Sequence, residues 1–276
     1  MILVTAPNGK VGSEVAKQLI AQNQEIRLAA HTPEKARAKF AGAEIVPFDF
    51  TNKETVRAAL DDVDALYLAS PGEANVQEIS RVIEYAKGAG VERVVRLSAM
   101  GVEGSDNPLR KIERYTEASG LIWTHLRPNW FMQNFSTTFA EGVRRGVIAE
   151  PAGDAKTSFI DTRDIAAVAV KALTEEGHGG QAYTLTGGRA YDRYEVADAI
   201  SQVTDKEVRY EPLSEKAFRE RMSGAGMPEK NLERTINLYQ AVRTGYKAET
   251  TDTFERITER APTSLQRFIQ DHKEVW

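Results

Sequence analysis

Short apolar runs and amphipathic segments alternate regularly through the first half of this 276-residue chain. The apolar runs have the length and β-branched content of buried strands, and the segments between them carry apolar residues at helical spacing. The predicted strands are Ile2–Val4, Ile26–Ala30, Glu44–Val46, Ala65–Ala69, Val94–Leu97 and Ile122–Leu126. Such alternation predicts βαβ units with right-handed crossovers. We therefore expect an α/β fold, a Rossmann-type doubly wound parallel sheet covered by helices on both faces.

The pattern becomes less regular after about residue 150. The segment DTRDIAAVAVKAL predicts a helix, QAYTLTGG predicts one more strand, and the chain from Tyr191 onward is predicted to be mostly helical and charged. No linker rich in proline or serine separates the two halves. We predict a Rossmann domain over residues 1–150 and a smaller, mostly helical C-terminal lobe over residues 151–276, with one or two strands returning to the main sheet.

Composition excludes several classes of protein. With a net charge of −4, we do not expect a basic surface for binding a nucleic acid or an anionic membrane. The absence of cysteine excludes disulfides and thiolate chemistry and suits a reducing cytoplasm. The apolar runs are shorter than the roughly 20 residues of a membrane-spanning helix, and Met1 leads directly into a strand, so no signal peptide is predicted. We expect a soluble cytoplasmic protein.

The segment TAPNGKVG lies between the first predicted strand and an amphipathic helix predicted over Val11–Ile20. Ala6, Gly9 and Gly12 occur at the spacing at which a dinucleotide-binding loop carries three glycines. The N–H groups of the helix start would stabilise a pyrophosphate there. Gly9 would let the backbone approach the phosphates, Gly12 would let the helix pack closely on the strand, and Ala6 is expected to need only a negative φ. An ordinary turn is the alternative, but the position in an alternating chain favours a nucleotide loop.

The end of the second predicted strand indicates which dinucleotide is bound. An acidic residue here contacts the adenosine ribose hydroxyls of NAD, whereas a cation accommodates the 2′-phosphate of NADP. The segment RLAAHTPEKA has no acid at Ala29, Ala30 or His31, and Lys35 lies near the start of the following helix. A solvated helix start is the alternative. We predict that His31 and Lys35 contact the phosphate, which makes NADP the expected cofactor and NAD the second choice.

The order and spacing of several short segments resemble the NmrA-like members of the atypical short-chain dehydrogenase/reductase group. The chain is similar to NAD(P)H:quinone oxidoreductases of the second type and to triphenylmethane reductases. The resemblance covers nearly the whole chain and is carried by TAPNGKVG, AAHTPEKA, FDFTN, LASP, VVRLSA, SGLIWTHLRPNWFMQNF, FIDTRDIA and FIQDHKEVW. It implies hydride transfer from a nicotinamide cofactor to a small conjugated acceptor.

The resemblance also implies which residues surround the cofactor. In chain order they are Thr5, Ala6, Asn8, Gly9, Lys10 and Val11 at the pyrophosphate, His31 and Lys35 at the 2′-phosphate, Asp49 and Phe50 at the adenine, Ala69, Ser70 and Pro71 on the ribose–pyrophosphate side, Ser98 at the nicotinamide ribose, and Pro128, Asn129, Trp130 and Phe131 at the nicotinamide.

Several of these residues directly follow predicted strands. Asp49, Ser70, Ser98 and Pro128 lie after the third to sixth strands, and an open parallel sheet binds ligands at the C-terminal ends of its strands. Taken singly, Asp49 could cap a helix and Ser70 could belong to a plain turn. Their joint placement favours a binding edge.

The sequence assigns no catalytic acid. No tyrosine has a lysine four residues later, so the Tyr-x-x-x-Lys pair of ordinary short-chain dehydrogenases is absent; Tyr115, for example, is followed by Ser119. Some relatives have lysine or histidine at the start of the helix before SGL, where this chain has Leu109, Arg110 and Lys111. Lys111 could take that role, although a solvent-facing charge is the favoured interpretation. The isolated histidines predict no metal site.

A quinone or a cationic dye accepts hydride readily, so an apolar slot beside the cofactor would suffice. The segment NWFMQNF could provide Trp130 and Phe131 as walls, or the same aromatics could belong to the core, where Met132 is expected. The sequence thus predicts an NADPH-dependent oxidoreductase acting on a quinone-like small molecule, with residues 1–150 holding the cofactor and the C-terminal lobe the substrate, as a monomer or homodimer. The alternative is a non-catalytic NAD(P)-binding redox sensor of the NmrA type.

Overall fold

A computed structural model describes residues 1–70 and 75–276 of the chain. Within these residues nine strands form two sheets. The strands are β1 Ile2–Thr5, β2 Ile26–Ala30, β3 Glu44–Pro47, β4 Ala65–Leu68, β5 Arg93–Leu97, β6 Ile122–Pro128, β7 Val147–Glu150, β8 Gln181–Leu185 and β9 Arg209–Pro212. Each of the six strands predicted in the first half is present, and its ends differ by no more than a residue or two from the predicted ones.

The helices occupy the connections between these strands and most of the C-terminal part. They are α1 Lys10–Ala21, α2 Pro33–Lys39, α3 Lys53–Ala59, α4 Val76–Gly88, α5 Pro108–Ala118, α6 Gln133–Ser136, α7 Ala140–Arg144, α8 Thr162–Thr174, α9 Arg193–Thr204, α10 Glu215–Gly224, α11 Glu229–Arg243, α12 Thr253–Thr258 and α13 Leu265–His272. None of the helices in the described ranges is long and apolar enough to cross a membrane.

The main sheet has seven parallel strands in the order β3-β2-β1-β4-β5-β6-β8 among the described residues. The chain builds outward from β1 in one direction and then from β4 in the other, so the order reverses between β1 and β4. A doubly wound sheet binds ligands beyond the carboxyl ends of its strands at such a reversal. The predicted Rossmann-type doubly wound fold is confirmed.

The chain forms two compact units, Met1–Pro128 with Thr162–Leu185, and Asn129–Asp161 with Thr186–Trp276. The sequence predicts a single division near residue 150 instead. The difference arises because the chain leaves the first unit at the end of β6 and returns to it with α8 and β8. The β8 strand pairs in parallel with β6, so it belongs to the main sheet.

The apolar core of the first unit surrounds the central strands β1 and β4, which are buried along their whole length. One cluster joins the sheet to α3, α4 and α5, with Leu3, Leu66, Val94 and Ile83 all inaccessible to solvent. The helices α1 and α8 pack against each other. Burial of both faces explains why β1 and β4 are continuous apolar runs rather than alternating ones.

The second unit has two apolar clusters of its own. One is built on α6, α7, α9 and α13 and includes Phe135, Phe159 and Phe268. The other is built on α10 and α11 and includes Phe218 and Tyr239. The short parallel sheet of β7 and β9 completes this unit.

Candidate functional site

The turn between β1 and α1 is closed by the Gly9 N–H, which donates to the Ala6 carbonyl at 2.9 Å. A Cβ atom on Gly12 would lie 2.3 Å from the Ala6 carbonyl oxygen and 2.9 Å from that of Thr5. A Cβ atom on Gly9 would lie 3.2 Å from the same Ala6 oxygen. The first turn of α1 therefore packs directly against the end of β1, and only glycine fits at position 12.

Ala6 has a φ of +53°, in the left-handed region. The sequence-based expectation that Ala6 needs only a negative φ is therefore wrong. The tight turn from β1 into α1 requires the reversed backbone conformation that glycine adopts freely and alanine adopts with strain. The first glycine of a dinucleotide loop is thus replaced by a small residue that keeps the glycine-like backbone.

The start of α1 has the features of an anion-binding helix terminus. Its N-cap residue, Gly9, makes no side-chain cap, and the first turn contains no acidic residue. By contrast, Asp192 caps α9 with its carboxylate and Asn52 caps α3 with its amide. The first N–H groups of α1 are therefore not satisfied by a side chain of the helix start, which is the arrangement that binds a phosphate. Lys10 lies at the first position of α1, where burial lowers the pKa of its ammonium group.

The ends of β1 and β4 are joined by the side chain of Thr5. Its hydroxyl lies 3.0 Å from the Tyr67 carbonyl and 3.1 Å from the Ala69 carbonyl, and it accepts from the Ala69 N–H at 2.8 Å. Thr5 is fully buried and Ala69 nearly so. These two residues fix the two strand ends on either side of the reversal point.

The predicted phosphate-contacting residues lie at the end of β2. His31 and Lys35 are exposed, and the Asn8 amide donates to the Thr32 carbonyl at 3.3 Å. This bond joins the β1–α1 turn to the start of the β2–α2 connection. The turn that follows β1 and the turn that follows β2 thus lie side by side at one edge of the sheet.

Asp49 and Phe50 follow β3 at the same edge. The Asp49 carboxylate accepts from the Thr51 N–H at 2.8 Å and from the Thr51 hydroxyl at 2.7 Å. The bond from the Thr51 N–H, with that from its hydroxyl, lowers the pKa of Asp49, so this group is ionised at neutral pH. Phe50 is half-buried and packs edge-on against Phe48, with ring centres 5.0 Å apart.

Three further predicted residues of the first unit end neighbouring strands. Ser70 follows β4 and is the last residue before the gap in the described chain; Pro71 lies outside the described residues. Ser98 is buried, and its N–H donates to the Leu126 carbonyl at 2.7 Å. Pro128 ends β6, and its carbonyl accepts from the Met100 N–H at 3.0 Å.

Asn129, the first residue of the second unit, has a fixed amide orientation. Its Nδ2 donates to the Lys247 carbonyl and to the Ser158 hydroxyl, each at 2.8 Å, and Ser158 in turn donates to the Glu249 carbonyl at 2.6 Å. Because a carbonyl can only accept, Nδ2 must face Lys247 and Oδ1 must point away from it. Asn129 is 3% exposed, and its Oδ1 has no partner among the residues described.

Trp130 and Phe131 follow Asn129 and are only half-buried. The Trp130 carbonyl accepts from the Ile160 N–H at 2.9 Å, and Phe131 forms an isolated parallel bridge with Ile160. Met132 is buried in the core as expected. The backbone of both aromatic residues is therefore fixed by contacts with Ile160, while their side chains keep some accessible surface.

A buried charged cluster that was not predicted from the sequence lies between β5, β6 and α5. The Glu113 carboxylate, with no exposed surface, accepts from Arg127 at 3.0 and 2.7 Å and from Arg110 at 3.0 Å. Burial raises the pKa of Glu113, but the hydrogen bonds from Arg127 outweigh it and leave the pKa below its usual value. Arg96 and His125 are buried nearby. The available signal was an arginine inside each apolar run, in VVRLS and in THLRP.

The helix that precedes SGL contributes no obvious proton donor. Lys111 is exposed, in agreement with the favoured interpretation of that residue. The Tyr115 hydroxyl bonds to Glu84, and that bond raises the pKa of Tyr115 to about 12. No group of metal-ligating side chains occurs in the part of the chain that the structure describes.

Comparison with known proteins identifies the family. Residues 7–176 match the NAD(P)H-binding family. The NAD(P)H azoreductase of Xenophilus azovorans is 34% identical over 281 residues, which cover 99% of this chain and 98% of that protein.

Two solved structures resemble the chain over almost their whole length. The triphenylmethane reductase of Citrobacter sp., in complex with NADP(H), has a TM-score of 0.84 at 26% identity and covers 98% of this chain and 99% of its own. The NADPH-dependent quinone oxidoreductase of Escherichia coli, in complex with NADPH, has a TM-score of 0.86 at 26% identity with the same coverage. The chain belongs to the NAD(P)H-binding family, and the predicted resemblance to reductases of this kind is confirmed.

Proposed function

We propose that this protein is an NADPH-dependent oxidoreductase that transfers hydride to a quinone-like or other conjugated small molecule. The observation that carries the proposal is the uncapped start of α1, packed through Gly12 onto the end of β1 where the strand order reverses. The azoreductase, triphenylmethane reductase and quinone oxidoreductase among its relatives act on acceptors with extended conjugation, which supports the same class of acceptor here.

The residues at the sheet edge have the chemistry that a dinucleotide phosphate requires. The uncapped N–H groups at the start of α1 would hold the pyrophosphate, and His31 and Lys35 would provide cations for a 2′-phosphate. Thr5 and Ala69 would fix the strand ends between which the cofactor lies. Asn8, Gly9, Lys10 and Val11 complete the pyrophosphate loop, and Asp49, Phe50, Ser70, Pro71 and Ser98 extend the site toward the adenine and the two riboses.

The nicotinamide end of the proposed site involves Pro128, Asn129, Trp130 and Phe131. The free Oδ1 of Asn129 suits the carboxamide N–H of a nicotinamide, because Nδ2 is already committed to Ser158 and Lys247. Trp130 and Phe131 would form apolar walls for a flat acceptor. When bound, NADPH supplies the hydride; the side chains orient the two reactants and exclude water from between them.

The acceptor class explains how a site without a Tyr-x-x-x-Lys pair can act. A quinone or a cationic dye accepts hydride without a prior proton, so the protonation step can draw on solvent. The chain then needs no acid of matched pKa beside the nicotinamide, in contrast to a ketone reductase. We propose that the reaction takes place in the cytoplasm, with the protein as a monomer or homodimer.

The test is steady-state oxidation of NADPH with a panel of quinones, azo dyes and triphenylmethane dyes. We expect turnover with at least one of these classes and tighter binding of NADPH than of NADH. Tight NADPH binding with no turnover across the panel would overturn the proposal in favour of a redox sensor. Turnover would instead exclude the sensor as the whole function.

A further inference from the structure

The second unit contains an ion pair that is completely enclosed. Glu150, at the end of β7, is 1% exposed, and Arg193, the first residue of α9, has no exposed surface. The Arg193 Nε donates to a Glu150 carboxylate oxygen at 3.0 Å, and Nη1 donates to the Thr157 hydroxyl at 2.6 Å.

This ion pair is expected to contribute little to the free energy of unfolding. Arg193 Nη2 is buried without a hydrogen-bond partner among the described residues. Arg193 also places a positive charge at the N-terminus of α9, the positive end of the helix dipole. Buried ion pairs are often no more stabilising than apolar side chains of similar volume, and least so when polar atoms remain unsatisfied. The reason for the pair therefore lies in what the guanidinium contacts.

The Arg193 guanidinium lies beside two aromatic rings, 5.5 Å from the centre of the Trp130 ring and 5.0 Å from that of Phe159. Both distances are within the range of a cation–π interaction. The Tyr239 ring packs against Trp130 with centres 5.1 Å apart. Phe159 and Tyr239 are buried, whereas Trp130 is not. The indole is thus fixed by buried neighbours while part of its own surface remains accessible.

We propose that Glu150 and Arg193 are a positioning pair for Trp130: they hold the plane of the indole against which a flat conjugated acceptor stacks. Glu150 keeps the guanidinium ionised and in place, and the guanidinium fixes the ring. The inference rests on the proposed function, in which Trp130 borders the acceptor slot. The pair would make the site selective for planar acceptors. Loss of the pair would weaken acceptor binding and leave the cofactor site intact.

The test replaces the pair by apolar residues of similar volume in the double variant Glu150→Leu/Arg193→Met. Fluorine NMR of protein labelled with fluorotryptophan reports on Trp130 directly, because the chain has only three tryptophans and Trp130→Phe assigns its resonance. Thermal unfolding, NADPH affinity and KM for a planar quinone are measured on the same samples. Lys216→Met/Glu220→Leu is the matched control, since this ion pair on α10 is exposed to solvent.

We expect the double variant to fold with a modestly lower unfolding temperature, because the buried Thr157 hydroxyl loses its donor, and to bind NADPH normally, but to show a shifted and broadened Trp130 resonance. The quinone KM should rise by roughly three- to tenfold, the loss of one cation–π contact, with kcat little changed. Arg193→Lys should have an intermediate KM and Trp130 resonance, because an ammonium group keeps the positive charge but lacks the planar guanidinium. The control pair should change none of these values.

An unchanged Trp130 resonance in the double variant would overturn the positioning role, whether or not the protein turns over a quinone. A changed resonance with an unchanged KM would overturn the link to the acceptor. Failure of the proposed function would be recognised separately, as absence of turnover in the wild-type protein, and the resonance would still decide whether the pair positions Trp130.

Discussion

Two residues of the β1–α1 turn determine how closely the first helix approaches the sheet. Gly12 has no space for a side chain, and Ala6 adopts a backbone conformation that alanine disfavours. The glycine at position 12 and the positive φ of Ala6 have the same cause: the chain turns tightly after β1, so the start of α1 lies against the end of that strand. The consequences of this geometry can be tested one residue at a time.

Gly12→Ala should destabilise the protein by about 1–3 kcal/mol, because the new methyl group would clash with the Ala6 and Thr5 carbonyls. Binding of NADPH should weaken as well, since relief of the clash moves α1 away from the turn. Gly88→Ala, at the end of α4, is the control: nothing lies within 4 Å of the new methyl group there. Urea unfolding and cofactor titration are measured for both variants. Wild-type stability and NADPH affinity in Gly12→Ala would contradict the close packing of α1 on β1.

Ala6→Gly should be neutral or stabilise the protein by up to about 1 kcal/mol, because glycine adopts the positive φ without strain. NADPH binding should be retained. The same substitution at Ala21, the last residue of α1, should instead cost about 0.5–1 kcal/mol, since glycine is a poor helix former. A clear loss of stability in Ala6→Gly, measured by urea unfolding, would contradict the left-handed conformation.

Cofactor preference should depend on the end of β2. Lys35→Ala is expected to weaken NADPH binding by about tenfold or less and to leave NADH nearly unchanged, because an exposed charge-assisted contact is screened by solvent. His31→Asp should turn the preference toward NADH by repelling the phosphate and accepting from the ribose hydroxyls. Calorimetric titration of both cofactors is the measurement. Equal losses of affinity for NADH and NADPH in Lys35→Ala would show that the 2′-phosphate is not bound by this lysine.

At the scale of single elements, β6 contains a histidine whose surroundings make stability depend on pH. Burial lowers the pKa of His125 to about 4, and the ring stacks on Trp123 with centres 4.7 Å apart. The folded protein therefore keeps this imidazole neutral, whereas the unfolded chain binds a proton near pH 6.5. Its contribution is fully present above that pH and is lost as the pH falls toward 4.

His125→Phe, which retains an aromatic ring against Trp123, should remove most of this dependence. The shift of the wild-type pKa from 6.5 to about 4 corresponds to about 3 kcal/mol, so the wild type should lose stability steeply between those pH values and the variant much less. Urea unfolding at several pH values compares them. The same slope in both proteins would show that other groups, such as the carboxylates around Arg127, carry the acid sensitivity.

The elements that the sequence predicts well are those governed by a local pattern. The strand β2 is predicted from the mostly apolar segment Ile26–Ala30, and its predicted and observed ends coincide. The order of the strands follows from general rules for βαβ units, so the topology could be predicted as well.

Other features depend on contacts distant in sequence. The Glu113 carboxylate is paired with Arg127, 14 residues away; the arginine inside the apolar run is a local signal, but its buried partner is not identified by either segment. The positive φ of Ala6 likewise arises from packing of α1, not from the residue type. The sequence predicts that one or two later strands return to the main sheet, but the residue at which the chain leaves the first unit, at the end of β6, is not marked by a local pattern.

At the scale of the whole molecule, the site residues predicted from the sequence fall into two groups. Those up to Pro128 lie in the first unit, and Asn129, Trp130 and Phe131 lie in the second. We propose that the first group binds the adenosine and phosphate parts of the cofactor, that Asn129 holds the nicotinamide carboxamide, and that Trp130 and Phe131 border the acceptor. Substitutions of Lys35 and of Trp130 should therefore have separable effects, on NADPH affinity and on acceptor KM respectively.

The most direct test of the proposed hydride transfer is a single-turnover reaction of the protein loaded with NADPH deuterated at its hydride-bearing carbon, mixed with a quinone or triphenylmethane dye. We expect oxidation of the bound cofactor to match reduction of the acceptor, with a primary isotope effect and with deuterium recovered on carbon in the reduced dye. Bound NADPH that is not oxidised by any acceptor, or reduced dye that carries no deuterium, would contradict direct hydride transfer.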